Sequence, residues 1–437
     1  MKQENNQSLK ILLLAFNLQE DVFPLGLSYL KTYAQKFHQD VNLTIKEFTL
    51  SSRANYETNK NAQLAALSYI ELEQPDLVAF SCYIWSADTA KDFAMAVKQL
   101  SPNTKVLLGG VEVTKENLTD DIDYIISGEG EIAFKELIDH LKGQRELEEV
   151  HNITTRNKTT NKVITTPKAQ IQNLDELPFP YIIGQNHQDQ KNDYAVIRME
   201  TARGCLYSCN FCHYAKPDLR FFSIDYIKNS LTYLFDNYNF KYLTFLDANF
   251  NTKKERMFEI LNLIKDNIKR TSKQVATHIE LRPELIDKDT CIRLNELGKH
   301  LTIDCELGFQ SSDSEVQKAA NRPTNMDKVK QALSLLNQYH IRYKIDLMYG
   351  LPKDNFYKFL SSVRFILSHA NQKKIVAHHY MQLNNTEFKT NPQHNKYIKR
   401  INKNASSMVI KTEQQTTTDL YLTKLFTDQL NNELSLL

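Results

Sequence analysis

Three cysteines fall within eight residues in the segment Arg203-Gly204-Cys205-Leu206-Tyr207-Ser208-Cys209-Asn210-Phe211-Cys212, a C-x3-C-x2-C spacing. Thiolates are soft ligands, and three on one short loop can hold three irons of a [4Fe-4S] cluster while leaving the fourth iron open. Structural zinc normally takes four protein ligands, commonly as C-x2-C pairs, and no fourth cysteine lies nearby, although His213 could serve. The remaining cysteines, Cys82, Cys291 and Cys305, are scattered, and six in 437 residues make no disulfide framework. Cys291 and Cys305 stand in apolar contexts where buried thiols are common, so one cluster is expected. Farther along the chain, Arg322 offers a planar fork of paired donors suited to a carboxylate. Taken singly, Glu280 could cap a strand, Arg322 could pair with a surface acid and Asp346 could cap a turn.

These residues need a scaffold, and the length implies two or three domains. With 41% hydrophobic and 24% charged residues, the composition excludes wholesale disorder, collagen and coiled coil, and no apolar run reaches the ~20 residues that span a bilayer. A net charge of +2 provides no broad basic field for nucleic acid or anionic lipid. The polar N-terminus lacks the pattern of a secretory signal, so a cytoplasmic protein is expected.

Short aliphatic runs alternate with helical periodicity over residues 1–141, with strands expected at Ile11–Phe16, Leu43–Leu50, Leu77–Cys82, Lys105–Leu108 and Tyr124–Ile126. Continuous apolar strands separated by helices predict a doubly wound, Rossmann-like parallel sheet. Residues 142–192 lose this periodicity and read as a linker with a hairpin tip at Thr154–Lys158 and little core. Six further strands, near 194–200, 242–247, 275–280, 301–309, 342–349 and 374–380, predict a partial (β/α)6 barrel over 193–383, followed by a small helical region over 384–437. Only 11 glycines occur, and seven cluster at Gly109-Gly110, Gly128-x-Gly130, Gly204, Gly308 and Gly350, at or after strand ends where ligands of such sheets bind.

The cysteine motif, with an aromatic residue before its last cysteine, resembles the radical S-adenosylmethionine (radical SAM) superfamily. The segments Phe245-Leu246-Asp247-Ala248-Asn249-Phe250, His278-Ile279-Glu280-Leu281-Arg282-Pro283, Glu306-Leu307-Gly308-Phe309-Gln310-Ser311-Ser312, Arg322 and Asp346-Leu347-Met348-Tyr349-Gly350-Leu351-Pro352 match, in order, the strand-end motifs of one branch of it. The resemblance implies that Cys205, Cys209 and Cys212 hold the cluster and that SAM chelates its open iron. It also implies that Glu280 binds the ribose or amino group, Gln310 and Arg322 the ribose and carboxylate, and Asp346 the ribose, with Phe211 beside SAM.

A second resemblance covers the N-terminal half. Pro24-Leu25-Gly26-Leu27-Ser28-Tyr29-Leu30, Phe80-Ser81-Cys82-Tyr83-Ile84-Trp85, Leu108-Gly109-Gly110-Val111-Glu112 and Ser127-Gly128-Glu129-Gly130-Glu131 look like the cobalamin-binding domain that precedes many radical SAM domains. Ser81, Tyr83, Trp85, Gly109, Gly110, Val111, Glu112, Gly128 and Glu129 would line the corrin. The D-x-H-x-x-G signature that brings a histidine to cobalt is missing, and no histidine precedes His38. The alternative is a doubly wound domain for a nucleotide or for packing alone.

The two resemblances together imply an enzyme that cleaves SAM to a 5′-deoxyadenosyl radical and methylates an unactivated carbon of a peptide or small molecule through methylcobalamin. They also imply an electron donor such as flavodoxin or ferredoxin. Rearrangement, ring contraction or cyclisation without methyl transfer is the alternative chemistry, and a cobalamin or redox sensor the alternative class. The basic stretch Lys389–Lys411, with Lys396, Lys399, Arg400 and Lys403, either receives an acidic substrate or is a solvated face. His378, His379 and Tyr380 either face the cavity or pack.

Overall fold

The computed structural model describes residues 8–18, 22–50, 56–157, 160–182, 193–214, 218–372, 374–395, 398–400 and 406–434, without the side chains of 56–59, 395, 399, 400 and 434. The chain divides into two compact units, Met1–Lys191 and Asn192–Leu437.

The first unit is a seven-stranded sheet: β1 (Lys10–Asn17), β2 (Asn42–Thr49), β3 (Leu77–Ser81), β4 (Lys105–Gly109), β5 (Tyr124–Ile126), β6 (Ile153–Arg156) and β7 (Val163–Thr165), in the order β2-β1-β3-β4-β5-β6-β7. The first five are parallel. Side chains alternate across a pleated strand, and Ile11–Phe16, Leu77–Phe80 and Val106–Leu108 are continuously apolar because both faces are covered. Ile11, Leu13, Ala15, Leu77 and Ala79 share a core with α1 (Leu25–Gln35) and α4 (Glu131–Leu141). Leu12, Leu14, Phe16, Val78 and Phe80 share another with α2 (Tyr56–Glu73) and α3 (Ala87–Leu100). The doubly wound reading holds.

The reading of 142–192 as a coreless linker does not. β6 adds antiparallel to β5, and β7 to β6, so this segment completes the sheet. Ile153, Leu174, Leu177 and Tyr181 are buried, and Tyr181 stacks on Phe23 at a centroid distance of 3.9 Å. Its polar residues hid this: Thr154 and Thr155 alternate on an edge ladder, where β-branched hydroxyl side chains are at home. Lys158, at the expected hairpin tip, lies outside the described residues.

The second unit begins with β8 (Val196–Met199) and a short antiparallel pair, β9 (Ala202–Arg203) with β10 (Arg220–Phe221). Then follow α5 (Ile224–Asn237), β11 (Tyr242–Phe245), α6 (Lys254–Thr271), β12 (Ala276–Leu281), α7 (Lys288–Gly298), β13 (Thr302–Gln310), α8 (Ser314–Ala319), α9 (Met326–Gln338), β14 (Tyr343–Tyr349), α10 (Phe356–His369) and β15 (Ile375–His379). The six long strands form one parallel sheet in the order β15-β14-β13-β12-β11-β8, as expected of a partial barrel. Ser223, Asp287, Asn325 and Asn355 each accept a backbone N–H at the start of a helix, which marks where strand-end loops stop.

The C-terminal region is not simply helical. β16 (Met381–Gln382), α11 (Glu387–Thr390), α12 (Pro392–Asn395), β17 (Lys399–Arg400) and β18 (Ser407–Lys411) precede α13 (Thr417–Leu434), and the three strands form their own sheet. Two-residue strands are too short for periodicity to register. Of the basic stretch, Lys396 and Lys403 lie outside the described residues. Among the described residues, no helix is long and apolar enough to cross a membrane.

Because Tyr181 is wholly buried, Tyr181→Ala should lower stability by about 3–5 kcal/mol in urea denaturation, whereas a side chain on a coreless linker would cost almost nothing.

Candidate active site

The cysteine loop is closed at its base by the ladder between β9 and β10. Gly204 opens it with φ +86°, and a Cβ there would come within 2.1 Å of the Asp218 carbonyl oxygen. Only glycine allows this approach. On its far side the loop is tied to the segment after α8. Asn210 N–H donates to Ala320 O at 2.9 Å and its side-chain amide to Ala319 O, while Asn321 Nδ2 donates to Ser208 O at 2.8 Å. Arg282 stacks over the Tyr207 ring at 3.8 Å.

Cys209 is buried, and Cys205 and Cys212 are half-buried. Burial pushes the Cys205 thiol upward, against the Tyr207 N–H and the charges of Arg282 and Arg322, and lifts Cys212 to about 11. Cys205 and Cys212 are therefore thiols at neutral pH, and metal binding must displace their protons. Among the described residues, no three His, Cys, Asp or Glu side chains converge as ligands of one metal ion. A four-iron cube takes one thiolate at each of three corners, and the three cysteines share one short loop.

Arg322 joins this loop to the barrel. Its Nη1 lies 3.7 Å from Cys209 Sγ, its Nη2 donates to Gly308 O, and its Nε is buried without a hydrogen-bond partner. Gln310 ends β13 with φ +70°, just past an irregularity in the pairing with β14. A non-glycine residue held there is strained, a feature that clusters at ligand sites. Gly308 pairs with Asp346, so Gln310, Arg322 and Asp346 are brought to one corner of the sheet. Phe211 is half-buried against the cluster formed by Val316, Tyr380 and Phe388.

Glu280 and Glu306 are register partners on β12 and β13. Glu280 reaches solvent, yet partial desolvation and then the Glu306 charge push its carboxyl upward. Glu306 receives His278 Nε2 at 2.8 Å and pairs with Lys344. His378 stands 4.0 Å from Asp346 Oδ1, whereas His379 stacks on Tyr349 and Tyr380 is buried against Phe388. Of those three, His378 alone joins the charged cluster.

Two nearby residues carried no assigned role in the sequence reading. Asp247 at the end of β11 is buried, takes the Thr201 N–H at 2.9 Å, and is pushed up to about 7 by burial. Asn249 leaves both side-chain polar atoms buried and unpartnered. Both lie in the 245–250 motif and line a cleft beside Gly204 and Cys205. Asn210, Asn321 and Arg282 were also missed, since an isolated asparagine or arginine has no periodic signal.

In the first unit, Ser81, Gly109 and the turn at Gly128 lie at the carboxyl ends of β3, β4 and β5. Gly110 has φ +111° and a Cβ there would meet Cys82 O at 2.5 Å, so the backbone passes closely. Tyr83 and Trp85 stack at 4.9 Å, and Trp85 Nε1 donates to Phe16 O. Leu18, Tyr83, Ile84, Trp85 and Val111 are all exposed, an apolar group at the sheet edge where ligands of this architecture bind. Glu112 is buried, while Glu129 lends its carbonyl to Asn152.

The fold and site define a two-unit α/β protein: a doubly wound sheet with an apolar carboxyl edge, then a parallel barrel-like sheet with a three-cysteine loop at its mouth. Residues 11–138 match the B12 binding domain and residues 199–366 the Radical SAM superfamily, so the chain is a radical SAM protein with an N-terminal B12-binding domain. The cofactors of those domains are cobalamin, SAM and a [4Fe-4S] cluster. The chain is 26% identical to the 2-(S-pantetheinyl)-carbapenam-3-carboxylate methyltransferase of Streptantibioticus cattleyicolor, over 73% of this chain and 49% of that protein. It is 25% identical to the cobalamin-dependent radical SAM methyltransferase TokK of Streptomyces tokunonensis, over 69% and 46%. The chain thus spans about half the length of the curated relatives it matches. Its fold is similar to that of the cobalamin-dependent S-adenosylmethionine radical enzyme OxsB, with a TM-score of 0.71 and 14% identity, over 96% of this chain and 66% of that one.

Gly204→Ala should introduce about 1–3 kcal/mol of backbone strain and a clash, lowering the iron retained after reconstitution while far-UV circular dichroism is unchanged. The raised value of Asp247 sets a pH dependence: its contribution to stability is fully present below the ordinary carboxylate range and lost as pH rises through about 7. Asp247→Asn should therefore flatten the fall of melting temperature over that window.

Proposed function

We propose that this protein is a SAM-cleaving enzyme that methylates an unactivated carbon of a peptide or small-molecule substrate. A [4Fe-4S] cluster held by Cys205, Cys209 and Cys212 would supply the electron for reductive cleavage of SAM and so the radical chemistry at the substrate carbon, and cobalamin would supply the methyl carrier. Cys205, Cys209 and Cys212 are the cluster ligands in this reading. Arg322 offers its guanidinium to the SAM carboxylate, Gln310 and Asp346 hold the ribose, Glu280 takes the ribose or amino group, and Phe211 lies beside them. Ser81, Tyr83, Trp85, Gly109, Gly110, Val111, Glu112, Gly128 and Glu129 receive cobalamin at the apolar sheet edge.

The observation that carries the reading is the position of Arg322, with one nitrogen at the Cys209 sulfur, another on the strand-end backbone at Gly308, and the third buried and unsatisfied. A buried guanidinium nitrogen without a partner is costly, and a bound carboxylate would satisfy it. We further place the enzyme in the cytoplasm, where thiols stay reduced, with flavodoxin or ferredoxin as electron donor.

Anaerobic incubation of the reconstituted, cobalamin-loaded protein with SAM and a strong reductant tests this. Methylation predicts both 5′-deoxyadenosine and S-adenosylhomocysteine by mass spectrometry, and alanine at Cys205, Cys209 or Cys212 should abolish the deoxyadenosine. Deoxyadenosine alone would replace methylation by rearrangement or cyclisation. A cysteine variant with full turnover would overturn the cluster assignment.

A further inference from the structure

The inner face of the barrel sheet holds a knot of charge below the strand ends. Around Asp346 stand Glu306 on β13, Lys344 on β14 itself, His278 and Glu280 on β12, and His378 on β15. The Glu306 and Asp346 carboxyls stand on adjacent strands, two residues apart in register and within hydrogen-bonding reach of each other. Ionised carboxylates only accept hydrogen bonds, so this contact requires one of the pair to carry a proton.

The neighbours decide which. Glu306 Oε2 takes both the His278 imidazole and the Lys344 ammonium. Asp346 is 8% exposed, the nearest basic group to its Oδ1 is the His378 imidazole at 4.0 Å, which burial pushes toward its neutral form, and that oxygen has no hydrogen-bond partner. Two donors on one carboxylate favour its charged form, and a buried carboxyl beside that charge keeps its proton.

We propose that Glu306 is a positioning residue of the SAM site: it takes the proton of Asp346 in a hydrogen bond and so presents Asp346 to the ribose as a neutral acid, with Oδ1 free to accept a hydroxyl. This rests on the reading of Asp346 as a ribose ligand. The electrostatics agree in direction. Burial and then Glu306 push Asp346 up to about 8, while hydrogen bonds from His278, Asp346 and Lys344 outweigh burial and hold Glu306 well below the carboxylate range. A neutral acid here leaves the site with one negative charge fewer, and it fixes the carboxyl plane because one oxygen is already committed.

Asparagine is the neutral mimic: its amide donates to Glu306 and its carbonyl accepts from the ribose. The test is the SAM dissociation constant of the cluster-loaded protein without reductant, by equilibrium dialysis across neutral to alkaline pH, for wild type, Asp346→Asn and Glu306→Gln. Taking the ratio of wild type to Asp346→Asn cancels the titration of SAM's own amino group. Whatever the asparagine costs by itself, the ratio of the two dissociation constants should be constant below neutrality, and one pH unit above the Asp346 value the wild type should weaken about tenfold relative to the variant. In Glu306→Gln the like charge is gone, and that relative loss should disappear. A carboxylic-acid C=O band in the infrared, present in wild type and lost in both variants, reports the proton without any binding step. The inference is overturned if that ratio stays constant across the whole pH range, or if wild type shows no such band, because Asp346 is then ionised throughout. No SAM binding by wild type at any pH would instead overturn the proposed function, while the infrared band would still report on the pair.

Discussion

The guanidinium of Arg322 is the joint on which the site depends. Six parallel strands can deliver residues to one end of a sheet, but the cysteine loop is not part of that sheet and would have no fixed distance from it. Arg322 spans the gap, reaching Cys209 Sγ at 3.7 Å and the Gly308 carbonyl on β13. A planar, permanently charged group with five donors in fixed directions can do this, whereas a lysine ammonium would satisfy one end only. The hydrogen bonds of Asn210 to the Ala319 carbonyl, and of Asn321 just past α8 to the Ser208 carbonyl, keep the loop from swinging about that joint.

The strand period of two organises what lies beneath. On β12, β13 and β14 the positions facing the helices are apolar, as with Ile279, Leu307 and Ile345, while the other face carries His278, Glu280, Glu306, Lys344 and Asp346. Parallel register sets Glu280 beside Glu306 and Glu306 beside Lys344, so two acids stand side by side with one lysine flanking the second. Grouping three acids around one lysine and one close histidine is expensive in a partly buried place unless a proton is shared, and the Glu306–Asp346 contact meets that demand.

The first unit solves a different problem at the corresponding end of its sheet. Its strands terminate in exposed apolar side chains, Tyr83, Trp85 and Val111, and in a backbone pressed together at Gly110. The stacked Tyr83–Trp85 pair is held by the hydrogen bond from Trp85 to Phe16 O, so it is a preset surface rather than a mobile one. Such a surface suits a broad ligand with an apolar body, and it contrasts with the charged mouth of the second unit.

Much of this was legible in the residues alone. Runs such as Ile11–Phe16 and the strand-end motifs fixed the two sheets, because apolar continuity and period are local properties. The cysteine spacing singled out the three-cysteine loop for the same reason. Tertiary structure decided what depends on contacts between distant positions: that Arg322 touches Cys209, 113 residues away, and that Glu306 is paired with His278 and Asp346. It also decided that the polar 142–192 segment belongs to the first sheet, through the β5–β6 ladder and the stacking of Tyr181 on Phe23. A residue's type constrains the chemistry open to it, but its protonation and its partner are set by neighbours that only folding brings close.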